Sequence, residues 1–305
     1  MVDVSVIIVN YNTRALLHEC LASVVAETKD VQYEIIVVDN ASTDGSRELL
    51  EREFPHVRRI FNEDNKGFAA ANNQAIKIAQ GRYVLLLNSD TRVLDGAIQK
   101  TMAFMEDHAE ASVVGCKLLN ADGSLQRSCM SFPSAWNLFS DSFFLYLVFP
   151  RTQLFGNYYM TWFDYDSMRS VDVVKGAFMM FRRVVFDTIG SFDEAYFMYT
   201  EETDLCYRVK AAGFQVIFYP SASIIHYGGG SVVNTDRFFE QFHTTMLYFI
   251  RKNFTGANKS ASVFLKVAGI AIRVPVYAMA GLLTFNTVWF RKSRACAKVF
   301  AKVVR

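Results

Sequence analysis

Cysteine is scarce and unpatterned in this chain of 305 residues. The five (Cys20, Cys116, Cys129, Cys206 and Cys296) are odd in number and share no metal-ligand spacing. That argues against a thiolate metal site and a disulfide framework, and points to reduced thiols in the cytosol. No Walker-type phosphate loop and no GxGxxG fingerprint occurs, so P-loop and dinucleotide-binding folds lose ground. No charged-then-apolar leader precedes the first apolar run, so the body of the protein is expected in the cytoplasm. Internal repeats and low-complexity linkers are absent too. Acidic residues are missing from the C-terminal stretch. From Arg251 to Arg305 stand 11 Lys/Arg and no Asp or Glu, which leaves 21 basic against 30 acidic groups before it. The formal net charge of +2 conceals this asymmetry, which suits an anionic membrane surface or nucleic acid.

Apolar residues are what the chain has in quantity. They make up 51%, with 27 Phe, enough for one large or two modest domains. Runs 4–9 (VSVIIV), 34–38 (EIIVV), 57–61 and 83–87 (YVLLL) read as strands, and 16–25, 46–54 and 68–79 as helices between them. This alternation predicts an α/β fold, a mostly parallel sheet flanked by helices. Past residue 90 the regularity weakens. Residues 97–107, 204–212 and 238–253 read as helices, 112–118, 171–181 and 216–219 as strands, and Asn120-Ala121-Asp122-Gly123 as a hairpin turn. The aromatic-rich 131–165 is a loop, a helical insert or a pocket wall. Segment 262–285 is apolar but carries Lys266, Arg273 and Pro275, which makes a poor transmembrane span. Followed by Arg291, Lys292, Arg294, Lys298 and Lys302, it fits a helical anchor lying on anionic lipid, or a buried helix pair with a solvated basic end.

Three polar clusters close the first, second and fourth strands: Asn10-Tyr11-Asn12, Asp39 with Asp44, and Asn88-Ser89-Asp90. The carboxyl ends of strands in an open α/β sheet are where ligands bind. Asp90 is a hard oxygen donor suited to Mg2+ or Mn2+ that also holds phosphates, although Asn88 and Asp90 could equally make a turn. Asp39 can accept from a base N–H or a ribose hydroxyl. Asn65-Lys66-Gly67 offers a cation for a diphosphate and a glycine for close approach. Glu201-Glu202, ahead of Asp204, either complement a helix start or present a general base to a hydroxyl. His226 ends an apolar strand before Gly228-Gly229-Gly230-Ser231, as a core residue or as a metal ligand beside a closing loop.

In order, VSVIIVNYN, EIIVVDNASTDGS, NKGFAAANN, YVLLLNSD, GAFMMFRR, FDEAYFMYTEETDLCYR and HYGGGS resemble the inverting family 2 glycosyltransferases, and within them the bacterial rhamnosyltransferase-like members, over residues 4–231. The resemblance implies a GT-A fold over 1–235, with a nucleotide-binding half (1–95) and an acceptor half (96–235); the apolar and basic composition beyond it predicts a helical, membrane-associating region over 236–305. It implies a UDP- or dTDP-sugar donor and a divalent cation, Mg2+ or Mn2+. Asp39 would meet the uracil or thymine base, with Asn10 and Tyr11 walling the nucleotide. Asp90 would bind the metal, His226 would be a further ligand, and Asn88 stands uncharged where the metal motif usually begins. Aligned on Asp204-Leu205, Glu202 takes the place of a usual catalytic Asp, with Glu201 in reserve; Asp204 supports the helix or contacts the acceptor.

The expected reaction moves a sugar, rhamnose by resemblance, onto a saccharide or polyprenyl-linked saccharide in cell-surface polysaccharide synthesis. The protein would sit peripherally on the inner face of the membrane. Trp136, Tyr158, Tyr159 and Trp162 would stack on acceptor sugars or lipid, or simply pack. Two other classes compete. A nucleotidyltransferase would show a Gly-rich basic loop after the first strand, where this chain has Asn10-Tyr11-Asn12-Thr13. A non-catalytic sugar- or nucleic-acid-binding protein leaves Asp39, Asp90 and Glu202 without a role, so no nucleic-acid partner is expected.

Overall fold

The computed structural model describes residues 2–228 and 235–304; Gly229, Gly230 and Ser231 of the expected closing loop lie outside the described residues. The elements begin with β1 (Val4–Asn10), α1 (Arg14–Glu27), β2 (Tyr33–Asp39), α2 (Ser46–Arg52), β3 (Arg58–Phe61), α3 (Phe68–Ile78), β4 (Tyr83–Asn88) and β5 (Thr91–Val93). Then come α4 (Ala97–Asp107), β6 (Ala111–Leu119), β7 (Leu125–Gln126), β8 (Cys129–Met130), α5 (Ala135–Ser142), α6 (Leu145–Val148) and α7 (Gln153–Gly156). The chain continues through β9 (Arg169–Ser170), β10 (Val173–Val174), β11 (Phe178–Arg182), α8 (Arg183–Ile189), α9 (Glu201–Ala211) and β12 (Gln215–His226). It ends in α10 (Thr235–Asn253), α11 (Gly256–Thr284) and α12 (Thr287–Val304). By contacts it divides into two units. Unit 1 is Met1–Cys129, Asp164–Phe197 and Glu201–Ser231; unit 2 is Met130–Phe163, Met198–Thr200 and Val232–Arg305.

Unit 1 is built on a sheet ordered β3-β2-β1-β4-β11-β6-β12-β5. The β-branched runs of β1 and β2 are buried on both faces, as a central parallel strand requires. Val4, Val6 and Ile8 share a core with Leu17, Leu21 and Val24 of α1. Burying each such side chain contributes about 1.5–3 kcal/mol. The expected α/β fold is borne out, with a sheet that is mixed beyond its first half. β3, β2, β1 and β4 run parallel. β11 then enters antiparallel to both β4 and β6, and β12 pairs parallel to β6 but antiparallel to β5. The turn at residues 120–123 closes the β6–β7 hairpin, with Gly123 at φ +81°. All five cysteines are buried free thiols.

The aromatic stretch around 131–165, open in its assignment from sequence, forms α5, α6 and α7 and groups in unit 2 with α10–α12. Leu247, Ile270, Cys296 and Val299 make the unit's core, flanked by Val263, Val267 and Tyr277. α11 is one helix long and apolar enough to cross a membrane by length and composition. Its protein-facing stripe is Ser262, Lys266, Gly269, Ile270, Arg273 and Gly281, so the two cations that interrupt the apolar run turn inward. A Cβ on Gly269 would stand 2.2 Å from Ser142 Oγ, which is why α5 and α11 can lie so close. The opposite face exposes Phe264, Met279, Leu282 and Leu283, and the turn into α12 exposes Phe285 at 92%.

Candidate active site

The carboxyl ends of β1, β2 and β4 bring three loops together in unit 1. Asn12 leaves β1 in a left-handed turn (φ +52°), where its side-chain oxygen accepts from Thr43 N at 2.7 Å. Thr13 Oγ1 donates to Asn10 Oδ1 (2.6 Å) and meets Ser89 Oγ (2.9 Å), which ties the first strand's end to the fourth's. Asp44 caps two helices at once. Oδ2 accepts from Arg14 N at the start of α1, and Oδ1 from Ser46 N and Oγ at the start of α2. Burial would raise its pKa, but these hydrogen bonds outweigh it and hold the carboxylate below its usual range.

Asp39 is fully buried beneath this loop pair. Oδ2 accepts from Asn10 Nδ2 (2.9 Å), and Oδ1 from Ser42 N (3.0 Å) and Arg47 Nε (3.4 Å). Arg47 was not singled out from sequence. It covers Asp39, lies over the Phe61 ring at 5.2 Å and donates to Asn62 O. Tyr11 is partly exposed. Asn65 belongs to an amide network: its Oδ1 accepts from Asn40 Nδ2 (2.8 Å) and Gly67 N (2.9 Å). Lys66 pairs on the surface with Asp64 at 2.7 Å. The close approach that Gly67 permits is to protein: a Cβ there would lie 2.5 Å from Phe197 O, which accepts from Phe68 N at the head of α3.

The second corner is assembled by strand pairing. β12 runs antiparallel to β5, placing His226 opposite Thr91 and beside the end of β4. His226 Nε2 lies 3.4 Å from Asp90 Oδ1 and 3.4 Å from Asn88 Nδ2. Asn88 Oδ1 is buried without a hydrogen-bond partner. His226 Nδ1 faces Gln126 Oε1 at 2.6 Å, and Gln126 Nε2 donates to His226 O and Asn120 Oδ1. Among the described residues no three His, Cys, Asp or Glu side chains cluster as a metal site. The corner therefore offers one carboxylate, one imidazole nitrogen and one orphaned amide oxygen. That donor set fits a hard divalent cation whose remaining ligands come from phosphate and water.

The third group opens α9. The chain enters it through two consecutive left-handed residues, Tyr199 (φ +70°) and Thr200 (φ +73°), a costly backbone for non-glycine side chains. Glu201 is buried, with Oε2 lacking a hydrogen-bond partner. Burial, then the adjacent Glu202 charge, push its pKa well above the usual carboxylate range. Glu202 is partly exposed. Its charge partly offsets the burial that lowers the pKa of Lys175, another residue not singled out from sequence. Asp204 lies within α9. It is buried, accepts from Tyr196 OH (3.2 Å) and pairs with Arg208 (3.0 Å), whose guanidinium also holds Ile189 O and Ser191 O. Trp136 lies in unit 2, where it stacks on Phe139 and donates Nε1–H to Leu154 O at 2.7 Å.

A family model described as Glycosyl transferase family 2 matches residues 5–190. An N-acetylglucosaminyl-diphospho-decaprenol L-rhamnosyltransferase of Mycobacterium tuberculosis is 29% identical over 241 residues, 74% of this chain and 77% of that protein. The teichuronic acid biosynthesis glycosyltransferase TuaG of Bacillus subtilis is 36% identical over 125 residues, 40% of this chain and 49% of its own. Among solved structures, the mannosyltransferase PcManGT from Pyrobaculum calidifontis, in complex with GDP-Man and Mn2+, aligns with a TM-score of 0.58 and 16% identity over 99% of this chain and 86% of its own. S. aureus TarS 1-349 aligns with a TM-score of 0.55 and 17% identity, over 99% and 81%. These likenesses show the GT-A fold, and the family model covers more than half of the sequence. The chain belongs to glycosyl transferase family 2 and is a glycosyltransferase.

Proposed function

We propose that this enzyme transfers a sugar, of the rhamnose class, from a UDP- or dTDP-linked donor to a hydroxyl of a saccharide carried on a polyprenyl diphosphate, with inversion, in cell-surface polysaccharide synthesis. The observation that carries the reading is the corner where His226 Nε2 faces Asp90 Oδ1 at 3.4 Å beside the end of β4. The name of the M. tuberculosis relative supports the sugar and the lipid-linked acceptor.

Asp90 and His226 Nε2, with the Asn88 amide oxygen, would hold a divalent cation, Mg2+ or Mn2+, which when bound neutralises the leaving diphosphate. Glu202 accepts the acceptor hydroxyl's proton as that oxygen attacks the anomeric carbon opposite the diphosphate. One C–O bond forms as the other breaks, and the centre inverts. Glu201 keeps its own proton because burial and its neighbour's charge oppose ionisation, so the two carboxyls divide into one base and one neutral acid. Lys175 supports the charge on Glu202. Asp39, held by Asn10, presents Oδ1 to the nucleobase once Arg47 swings aside, with Tyr11 as a wall.

Unit 2 supports attachment to the inner face of the membrane. Leu282, Leu283 and Phe285 project from the α11–α12 turn, and Arg291 and Arg294 stand exposed on α12. An apolar tip with basic residues behind it suits anionic lipid. The test is to incubate purified protein with Mn2+ and a panel of nucleoside-diphosphate sugars, and to follow release of UDP, dTDP or GDP. Release of one nucleotide, accelerated by a lipid-linked saccharide, is the expected result. No release with any donor, together with no Mn2+-dependent nucleotide binding, sinks the reading.

A further inference from the structure

Among its described residues, unit 2 buries two cations, Arg273 and Lys266, and only Arg273 is in an ion pair. Arg273 is fully answered. Its Nη2 donates to the Asp141 carboxylate (3.0 Å) and carbonyl (2.9 Å), its Nη1 to Gly269 O (3.1 Å), and its plane lies over the Phe144 ring at 4.9 Å. The remaining Asp141 oxygen accepts from Tyr159 OH at 2.9 Å. Lys266, two turns earlier on the same face of α11, has no such answer. It is 3% exposed, its ammonium stands over the Phe242 ring at 5.0 Å, and among the described residues it makes no hydrogen bond or ion pair. His243, next to Phe242 on α10, is 2% exposed, and both of its ring nitrogens are enclosed without a hydrogen-bond partner.

A buried ammonium with no directly paired counter-charge among the described residues is costly, and a hydrophobic side chain of similar volume would serve the core better. A buried imidazole with two idle nitrogens adds to the cost. An anion with several acceptor oxygens would answer both, because the ammonium brings three N–H donors and the imidazole another. A phosphate group has that form. The unit also names the carrier. Leu147, Val148, Phe149 and Leu154 on and around α6 and α7 are exposed, as are Phe264, Leu282 and Leu283 on α11. So much uncovered apolar surface on one unit suits a lipid rather than water.

We propose that Lys266 and His243 form a receptor for a phosphate group borne on a lipid, of the polyprenyl diphosphate class. Equating that lipid with the acceptor rests on the proposed function, whereas the anion site rests on unit 2 alone. Burial lowers the Lys266 pKa to about 8, with Asp141 opposing and Arg273 adding to the effect, and drives His243 well below its ordinary value. An arriving anion reverses the pressure on both. The ammonium sits on a flexible four-carbon stem, so it can swing to meet a phosphate oxygen without moving the helix.

The full chain, in EDTA so that no cation occupies the Asp90 corner, is titrated with inorganic pyrophosphate. Separately it is mixed with phosphatidylcholine vesicles with and without a few per cent polyprenyl diphosphate. Melting temperature and the ring signals of His243, one of five histidines and assigned through His243→Gln, are followed. The wild type should melt higher with pyrophosphate, and the His243 signals should move. Lys266→Met should bind at least tenfold more weakly yet melt no lower than wild type without ligand. If Lys266→Met fails to fold, Lys266→Arg must keep the response. Vesicles with the diphosphate lipid should bind at least tenfold more tightly than soluble pyrophosphate; equal affinity overturns the lipid-borne source. No response of the wild type, or unchanged binding in Lys266→Met, overturns the site. Donor turnover in the same preparation reports on the transfer reading independently. Turnover without a phosphate response removes only this inference, and the reverse removes only the transfer reading.

Discussion

Gln126 and His226 exchange two hydrogen bonds, and the exchange decides which imidazole nitrogen carries the proton. Gln126 Nε2 donates to His226 O (3.0 Å) and to Asn120 Oδ1 (2.9 Å), so its Oε1 is left as the acceptor facing Nδ1 at 2.6 Å. Nδ1 supplies the hydrogen, which in the neutral imidazole leaves the lone pair on Nε2, 3.4 Å from Asp90. Outer partners that fix a histidine tautomer commonly govern metal affinity. Gln126→Leu should weaken Mn2+ binding about 10- to 100-fold in an EPR titration, with metal-free nucleotide binding unchanged. Unaltered Mn2+ affinity would remove His226 from the ligand set.

Glu202→Gln should lower kcat by about 100-fold or more while donor binding persists. Glu201→Gln should retain most turnover. A drop in the second variant as deep as in the first would reverse the assignment of base and neutral acid.

The same residue makes a pH prediction. The folded-state pKa of Glu201 lies above its usual 4.5, so above pH 4.5 the unfolded chain releases a proton that the folded chain retains. Stability from this group therefore declines as pH rises from 4.5 toward the folded value. Glu201→Gln should melt higher than wild type by about 2–4 °C at neutral pH, with the gap shrinking toward pH 4.5. A constant gap from pH 5 to 7 would contradict the sign.

Asp44→Ala removes the first hydrogen-bond acceptor of both α1 and α2. At about 1 kcal/mol per cap the loss should be about 2 kcal/mol, read as a shift in urea midpoint at pH 7. Because the folded pKa of Asp44 is lowered, its contribution is present above its usual 3.8 and is lost as pH falls through the folded value. The variant should therefore differ least from wild type at the most acidic pH at which both remain folded.

Gly67 sits at φ +84° and ψ 169°, a region other residues essentially do not occupy. Gly67→Ala combines that strain with a 2.5 Å approach to Phe197 O and should cost at least about 2 kcal/mol. Denaturant unfolding measures this directly; a loss under 0.5 kcal/mol would mean the α3 start is softer than described.

Leu283→Glu with Phe285→Glu removes two of the most exposed apolar side chains among the described residues. Burying a side chain of this kind contributes about 1.5–3 kcal/mol, so flotation with phosphatidylglycerol vesicles should fall by more than tenfold. Undiminished flotation would place the membrane contact elsewhere.

The strands and the polar loops that end them were legible because buried parallel strands write continuous β-branched runs. What periodicity could not supply was proximity. Residues 216–219 read as a whole strand, yet β12 continues through an irregular register between Tyr219 and Ser223 and delivers His226 to Thr91. Gln126 lies on a two-residue strand, Lys175 between two strands, and Arg47 on a short helix, so none belongs to a pattern long enough to read. Lys266 and Arg273 looked like flaws in an apolar helix. Their seven-residue spacing puts them on one face, and Gly269 between them lets α5 close over that face.

Asn88 and His226 stand 138 positions apart, and three-residue β5 has its partner in β12. On the ribosome, the first strands and their loops emerge and can begin to pair long before the residue that completes the Asp90 corner has been made. The order of synthesis thus brings His226 to the Asp90 corner only after β1 through β11 have been translated. On the proposed reading, a chain cut short of β12 carries the loops that end β1, β2 and β4 but lacks His226, and so lacks the corner that turnover requires.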